Sequence, residues 1–345
     1  MQRICTTLAN ANYDIELVGR KKKTSIPLEN KIYVQKRLNC FFQKGKFFYI
    51  EHNIRLFFYL IFKNIDVISS VDLDTIFACT IVSKIRSKKL VFDAHEYFTE
   101  VPEVTNRKSI KKIWEIVAKL CIPKTDAAYT VGESLAEIFA EKYHKKFEVI
   151  RNVPPLSNLQ IIKSSNEKFI LYQGDLNEGR GLEQMIEAMQ QIDAEFCIAG
   201  NGLQLEKFKH LAIKFHVTEK VKFLGYINPD ELKKLTVKAT IGINILENKG
   251  LSYYYSLANK FFDYMHAEVP QICAPFPEYE KINKQFQIAL PCECIVSKIA
   301  DTINALLNDS IIYKKLQSQC LKAKETFNWE IEEKILLKIY ADVCK

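Results

Sequence analysis

Glycine and proline are scarce in this 345-residue chain, at 11 and 10 residues. That excludes a collagenous or low-complexity protein. No internal repeat and no long disordered linker is visible. Long apolar runs are missing too. The most apolar stretch, residues 56–62 (LFFYLIF), falls far short of the ~20 residues a spanning helix needs. Arg55 and Lys63 flank it, and it reads as a buried helix. Residues 1–20 (MQRICTTLANANYDIELVGR) lack the apolar core of a signal peptide. The ten cysteines lack metal-ligand spacing: Cys292 and Cys294 form a C-x-C without a second pair, and Cys79, Cys197 and Cys273 sit inside apolar runs. They read as reduced, mostly buried thiols of a cytosolic protein. A G-x-x-x-x-G-K-[ST] phosphate loop is also absent.

What is present is a globular composition, 48% hydrophobic and 26% charged, in a chain long enough for two Rossmann-sized domains. The net charge of +8 is unevenly placed. Residues 1–151 hold 26 Lys and Arg against 17 Asp and Glu, whereas residues 152–345 hold 23 against 24. The basic residues cluster at 20–23, 86–89, 107–112 and 142–146. A solvated surface is the plain reading; a basic half can also meet anionic lipid headgroups or nucleic acid. No nucleic-acid module accompanies the charge, so nucleic acid is set aside.

Short apolar runs alternate with amphipathic stretches. The pattern predicts strands at 14–19, 66–71, 89–94, 127–131 and 147–150, then at 168–173, 195–199, 220–224, 240–246 and 269–274. Helices are predicted at 73–87, 134–144 and 329–343. Such alternation implies parallel sheets covered on both faces. The Asn152-Val153-Pro154-Pro155 run, with polar residues through Asn166, predicts a seam. The expected domains are 1–151, 152–325 and a terminal helical segment 326–345 that returns to the first. Ligands of such sheets bind beyond the carboxyl ends of the strands, here in a cleft between two facing domains.

Four segments can carry chemistry. Val91-Phe92-Asp93-Ala94-His95-Glu96 ends an apolar strand in titratable groups, and His95 can donate to sugar hydroxyls or merely orient a loop. Tyr172–Leu182 (YQGDLNEGRGL) is a strand, a three-glycine loop and a helix start, where Gly174 and Gly181 let backbone N–H groups approach a phosphate and Arg180 can grip its oxygens. A tight turn is the simpler alternative. Gly200-Asn201-Gly202 is a second strand–turn, weak alone because Leu205 stands where a dinucleotide fingerprint needs glycine. The fourth runs from Ser252 to Met265 (SYYYSLANKFFDYM), where Lys260 and Asp263 sit on a short helix and a carboxylate can accept from a ribose diol; solvated charges are the alternative.

In order and spacing these segments resemble the retaining GT-B glycosyltransferases of family 4, the glycosyl transferases group 1. The likeness covers nearly the whole chain and is most specific in YQGxLNEGRGLE, AGNG, FLGY and NKFFDYMHxxVPQI. It implies two Rossmann-like doubly wound domains. It implies that a nucleotide-diphosphate sugar is the donor and a glycan or lipid-linked molecule the acceptor, in cell-surface polysaccharide or lipopolysaccharide synthesis. Arg180 inherits the diphosphate, Asp263 the ribose and His95 the transferred sugar. The donor set is completed by Gly174, Gly181, Gly200, Asn201, Gly202, Tyr255, Asn259 and Lys260. The sequence departs from the family at Asp175, where Arg is usual, at Tyr255, where the first acid of an E-x₇-E pair would stand, and at Glu268, where Gly is usual. A nucleotide-sugar 2-epimerase and a non-catalytic binding subunit are the alternatives on this scaffold.

Asp72-Leu73-Asp74 has the letters of a metal motif, but Asp74 reads as a helix N-cap, so transfer without metal or cofactor is expected. The expected place is the cytoplasm, peripheral at the inner membrane face through the basic half. Family members usually begin with an apolar strand before the first helix, and residues 1–4 already read as helix. The expectation is a missing first strand in the N-terminal domain, with Met1 an internal methionine or the chain trimmed.

Overall fold

The structure, a computed structural model, describes residues 1–23, 25, 27–156 and 168–345. The remainder of the expected polar seam, up to Asn166, lies outside the described residues. The chain divides into two compact units, Met1–Arg151 with Ile331–Lys345, and Asn152–Glu330.

The first unit contains α1 (Gln2–Asn10), β1 (Glu16–Lys21), β2 (Val34–Asn39), α2 (Lys46–Ile61), β3 (Val67–Val71), α3 (Leu73–Ile85), β4 (Lys89–Ala94), α4 (Pro102–Thr105), α5 (Lys108–Cys121), β5 (Ala127–Thr130), α6 (Glu133–Tyr143) and β6 (Glu148–Val149). Its strands form two separate parallel sheets, β1-β2 and β3-β4-β5-β6. Among the described residues no strand joins β1 to β3. Both sheets nonetheless contribute to one apolar cluster, with Leu38 from β2, Ile68 from β3, Leu90 from β4 and Val82 from α3 buried together.

The strand β2 escapes the sequence pattern because its six residues, VQKRLN, are mostly polar and Val34 is exposed. Stretch 56–62 also needs correction. It ends α2 and is only half buried: Leu56 and Leu60 enter the core, while Phe58 and Phe62 face solvent. A helix packed on one side buries a stripe, not its circumference.

The second unit contains β7 (Phe169–Gln173), α7 (Leu182–Ala188), β8 (Glu195–Ala199), α8 (Leu205–Lys214), β9 (Val221–Gly225), α9 (Pro229–Lys238), β10 (Ile241–Asn244), α10 (Leu251–Tyr254), α11 (Asn259–His266), β11 (Gln271–Cys273), α12 (Pro277–Phe286), β12 (Ala289–Pro291), α13 (Val296–Asn308) and α14 (Ser310–Thr326). One parallel sheet runs β12-β11-β10-β7-β8-β9. Alternate residues bury on opposite faces: Ile170, Tyr172, Phe196 and Ile198 join one cluster, Leu171, Cys197 and Ala199 another. That explains why its strands read as unbroken apolar runs. The order reverses between β7 and β10, which creates a crevice beyond their carboxyl ends. The strand β12, three residues ending in Pro291, is too short to be predicted.

The last helix, α15 (Trp329–Val343), belongs to the first unit from Ile331 on. Buried Glu332 holds it there, accepting from the Arg151 backbone N at 3.0 Å and its guanidinium at 3.3 Å.

In the second unit Gly242 of β10 lies against the ring of Tyr264, whose hydroxyl donates to the Leu171 carbonyl at 2.8 Å. A Cβ on Gly242 would stand 2.5 Å from that ring. Gly242→Ala is expected to lower unfolding stability by about 1–3 kcal/mol, as overpacking does. Urea denaturation followed by circular dichroism checks this; an unchanged midpoint would contradict the packing.

Candidate functional site

The crevice of the second unit is built from glycines that have no room for a side chain. The strand β7 ends at Gly174, whose φ is +135° and whose N–H donates to the Ala199 carbonyl at 3.0 Å. A Cβ on Gly200 would fall 1.9 Å from the Gly174 oxygen, and one on Gly202 would fall 2.4 Å from the Leu176 oxygen. The carbonyl of Asn201 accepts from the Leu176 N–H at 3.0 Å, while its side chain stays exposed. The turn 200–202 is therefore a buttress that seats the 174–181 loop, a role its weak motif did not convey.

That loop closes on the segment after β10. Gly179, with φ +80°, receives the ring of Tyr253, and Gly181, with φ +69°, packs on Ile245 at the start of α7. The Tyr253 hydroxyl donates to the Glu178 carbonyl at 3.1 Å, and the Arg180 guanidinium lies 5.1 Å from the Tyr253 ring centre. From α11, Lys260 reaches the same place. Its ammonium stands 3.7 Å from the centre of the Tyr172 ring, and a Cβ on Gly174 would meet it at 4.0 Å. Tyr172 in turn donates to the Asp175 carbonyl at 2.8 Å.

Electrostatics set these two cations apart. The Nζ of Lys260 and the Nε of Arg180 are buried without a hydrogen-bond partner. Burial, then the neighbouring Arg180 charge, pushes the Lys260 ammonium well below its usual range, and the Asp175 carboxylate opposes this only in part. A buried unpaired ammonium is costly, and Lys260, with half-buried Arg180 near it, has the chemistry to receive an anion beside the glycine loops. Tyr172 and Tyr253 lie inside two of the segments that the sequence singles out, but neither is given a role there.

Asp263 is placed one step away. Its carboxylate accepts from Gln173 at 2.8 Å, and Gln173 accepts from Thr236 at 2.8 Å, which ties α11 to the end of β7. Tyr255 and Asn259 have contacts of their own. Tyr255 rests edge-on against Tyr254, with ring centres 5.0 Å apart, and Asn259 accepts from Asn152 at 2.9 Å. Glu268, in place of the family's glycine, adopts φ +55° and pairs with Lys324 at 2.7 Å. It occupies a turn that favours glycine.

The first unit holds its own polar cluster at the end of β4. Buried Asp93 accepts from Tyr129 at 3.1 Å and pairs with Nε2 of His95 at 3.1 Å. The His95 N–H donates to Asp72 at 2.9 Å, and the Asp72 N–H donates to the Asp93 carbonyl at 2.8 Å. Asp72, not Asp74, occupies the N-cap position of α3, and its carboxylate serves His95 instead of the helix. Asp74 lies inside the first turn, where burial pushes its carboxyl up to about 6. Burial raises Asp72 to about 7, against the pull of His95. Burial works to lower His95, but the bond to Asp93 and the charges of Asp93 and Asp72 raise it overall.

Among the described residues no group of three or more His, Cys, Asp or Glu could hold a metal ion, and no helix is long and apolar enough to cross a membrane. All ten cysteines are free; eight are buried, Cys294 is half-buried and Cys344 exposed.

Comparison with known proteins follows this geometry. Residues 158–325 match the family model for glycosyl transferases group 1. The loop, the turn 200–202 and the Lys260–Asp263 helix all lie inside the matched span. An 80-residue stretch is 39% identical to an uncharacterized glycosyltransferase of Methanocaldococcus jannaschii, spanning 22% of this chain and 20% of that relative. Over a wider span the fold is similar to sucrose-phosphate synthase of Thermosynechococcus elongatus, with TM-score 0.78, 16% identity and coverage of 99% and 92% of the two chains. It is also similar to Anabaena HepE in complex with UDP-glucose, with TM-score 0.74, 12% identity and coverage of 90% and 86%. The fold is α/β with parallel sheets, matching that of GT-B glycosyltransferases.

For the cluster in the first unit, both raised groups make stability fall as pH rises. The His95 contribution is complete below the ordinary value of ~6.5 and is lost as pH climbs through the higher native value. Asp72 acts in the same sense, from its ordinary range up to about 7. Asp93→Asn is expected to lower the His95 titration midpoint in NMR, since only the Asp72 charge then opposes burial. A midpoint equal to that of the unaltered chain would show that Asp93 does not hold the imidazolium.

Proposed function

We propose that this protein is a retaining glycosyltransferase that moves a sugar from a nucleotide-diphosphate donor to an acceptor hydroxyl. The observation that carries this reading is the buried, unpartnered ammonium of Lys260 with the half-buried Arg180, whose Nε is also unpartnered, beside glycine loops at the sheet's switch point. The group 1 match and the UDP-glucose-bound neighbour support a nucleotide-sugar donor. Arg180, Lys260 and the N–H groups of the 174–181 loop receive the diphosphate, and their charge stabilises it as it leaves with its developing negative charge. Asp263, held at the end of β7 by its bond from Gln173, accepts from the ribose diol. Retention follows the family resemblance: the acceptor attacks on the face from which the diphosphate departs. The Asp93–His95 pair is the first unit's contribution to turnover. Asp175, exposed and anionic near Lys260, weakens the donor's hold relative to the Arg usual at that position.

The acceptor is a glycan or a lipid-linked precursor of a cell-surface polysaccharide or lipopolysaccharide. The basic residues of 1–151 attach the protein to an anionic membrane in a salt-sensitive manner. A product assay with donor and acceptor separates transfer from epimerisation of the sugar nucleotide and from binding alone.

Arg180→Ala is expected to weaken nucleotide-diphosphate binding by about 1.5–3 kcal/mol, the worth of lost charge-assisted hydrogen bonds. Lys260→Met should also lose affinity yet keep or gain stability, because an unpaired buried ammonium is replaced by an apolar chain of similar shape. Calorimetry and urea denaturation read the two effects. Full affinity in either variant would remove that residue from the site.

His95→Ala should lower turnover far more than affinity for free nucleotide. Steady-state kinetics beside calorimetry checks this; equal losses in both would make His95 a folding residue only.

A further inference from the structure

The first unit has an apolar surface that donor binding does not use. Along α2, residues Ile50, Ile54, Phe58 and Phe62 recur every four positions and form one ridge, each between 52% and 83% exposed. The opposite stripe, Phe48, His52, Leu56 and Leu60, is buried, so the helix is apolar on the side it presents to water as well. Phe77 of α3 and Ile113 of α5 are exposed beside it. Between these three helices lies a groove of about 600 Å³, lined by Ile54, Phe58, Phe77, Ile113 and, at its base, Trp114. Its volume is in the ~300–1,000 Å³ range of small-molecule pockets, but its walls are nearly all hydrocarbon. Contiguous exposed apolar surface of this kind marks an interaction site.

Charge selects the occupant. Lys46 and Arg107 line the groove, and only one acid, Glu103, does so. Lys108 and Lys112 are exposed on α5, five residues and one residue before Ile113, and the ammonium of Lys46 lies over the exposed Phe47 ring, 5.2 Å from its centre. Apolar and aromatic side chains beside cations on amphipathic helices suit the interface of an anionic bilayer, where rings and hydrocarbon enter the acyl region and ammonium groups meet headgroup phosphates.

We propose that the α2–α3–α5 face inserts into the surface of an anionic lipid bilayer and that the groove holds one lipid hydrocarbon chain over Trp114. This deepens the membrane attachment proposed above, and rests on it, by adding an apolar contact that salt does not screen.

The experiment uses the full chain carrying Trp329→Phe, which leaves Trp114 as the only tryptophan. Vesicles of phosphatidylcholine and phosphatidylglycerol with brominated acyl chains are added. Trp114 emission is expected to be quenched, and part of the vesicle binding to persist at about 1 M salt, where the screening length is only ~3 Å. Ile54→Asp with Phe58→Asp, both at exposed positions, should cut that residual binding by about tenfold or more and leave nucleotide-diphosphate affinity unchanged, with an unaltered cooperative urea transition in circular dichroism certifying the fold. Binding at low salt that salt releases entirely, with Trp114 unquenched, overturns the groove but keeps the electrostatic attachment. Absence of binding at low salt overturns both. A dimer in sedimentation that the same double substitution dissociates assigns the face to a second copy and also overturns the proposal. None of these outcomes bears on the donor site, which calorimetry tests separately.

Discussion

A buried ammonium without a counter-ion organises the second unit. Lys260 is held over the Tyr172 ring at the point where the sheet reverses direction, and its only close carboxylate influence, Asp175, compensates in part. Burial of such a charge is tolerated only where the surrounding structure over-determines it. Here it is over-determined by backbone. Two loops converge so tightly at Gly174, Gly200 and Gly202 that their chains touch through atoms a side chain would displace. The close fit sets Lys260 and Arg180 beside the glycine loops. In the function proposed above, the donor's diphosphate supplies the missing partner, so binding and relief of the desolvation cost are one event.

The first unit solves a different problem with similar means. Two carboxylates, Asp72 and Asp93, and an imidazole meet at the end of β4 and the start of α3; burial pushes Asp72 up, while the bond to Asp93 and the charges of Asp93 and Asp72 raise His95 against burial. The Asp72 carboxylate, which would otherwise cap α3, is spent on the His95 backbone. That choice fixes the turn carrying the imidazole, and α15 closes nearby, with its Tyr340 hydroxyl donating to Ser69 at 2.9 Å. The same unit leaves apolar side chains of α2, α3 and α5 in solvent, an arrangement a self-sufficient core would not need.

Much was legible in the sequence because it is written in local chemistry. Unbroken apolar runs such as FILYQ and EFCIA mark doubly covered parallel strands, since both faces demand the same residues. Glycines at 174, 179, 181 and 200 announce backbone conformations that other residues enter at a cost, and all four have positive φ. The cation at 180, the lysine at 260 and the acid–histidine run at 93–95 were visible for the same reason: their chemistry needs no partner to be recognised. Helix α15 was legible to the residue from its amphipathic period.

What the tertiary structure alone decided concerns partnership. The sequence does not say that Gly200 yields its side chain to a carbonyl twenty-six residues back, that Tyr172 and Tyr253 carry the two cations, or that Asp72 abandons a helix end for His95. Nor does it say which side of LFFYLIF meets a core. A polar edge strand such as β2 and a three-residue one such as β12 take their hydrogen bonds from neighbours, so no local pattern reveals them. Residue type and spacing determine what each segment can do; which of those capacities is satisfied inside the fold, and which is left facing a ligand or a surface, depends on distances that only the folded chain sets.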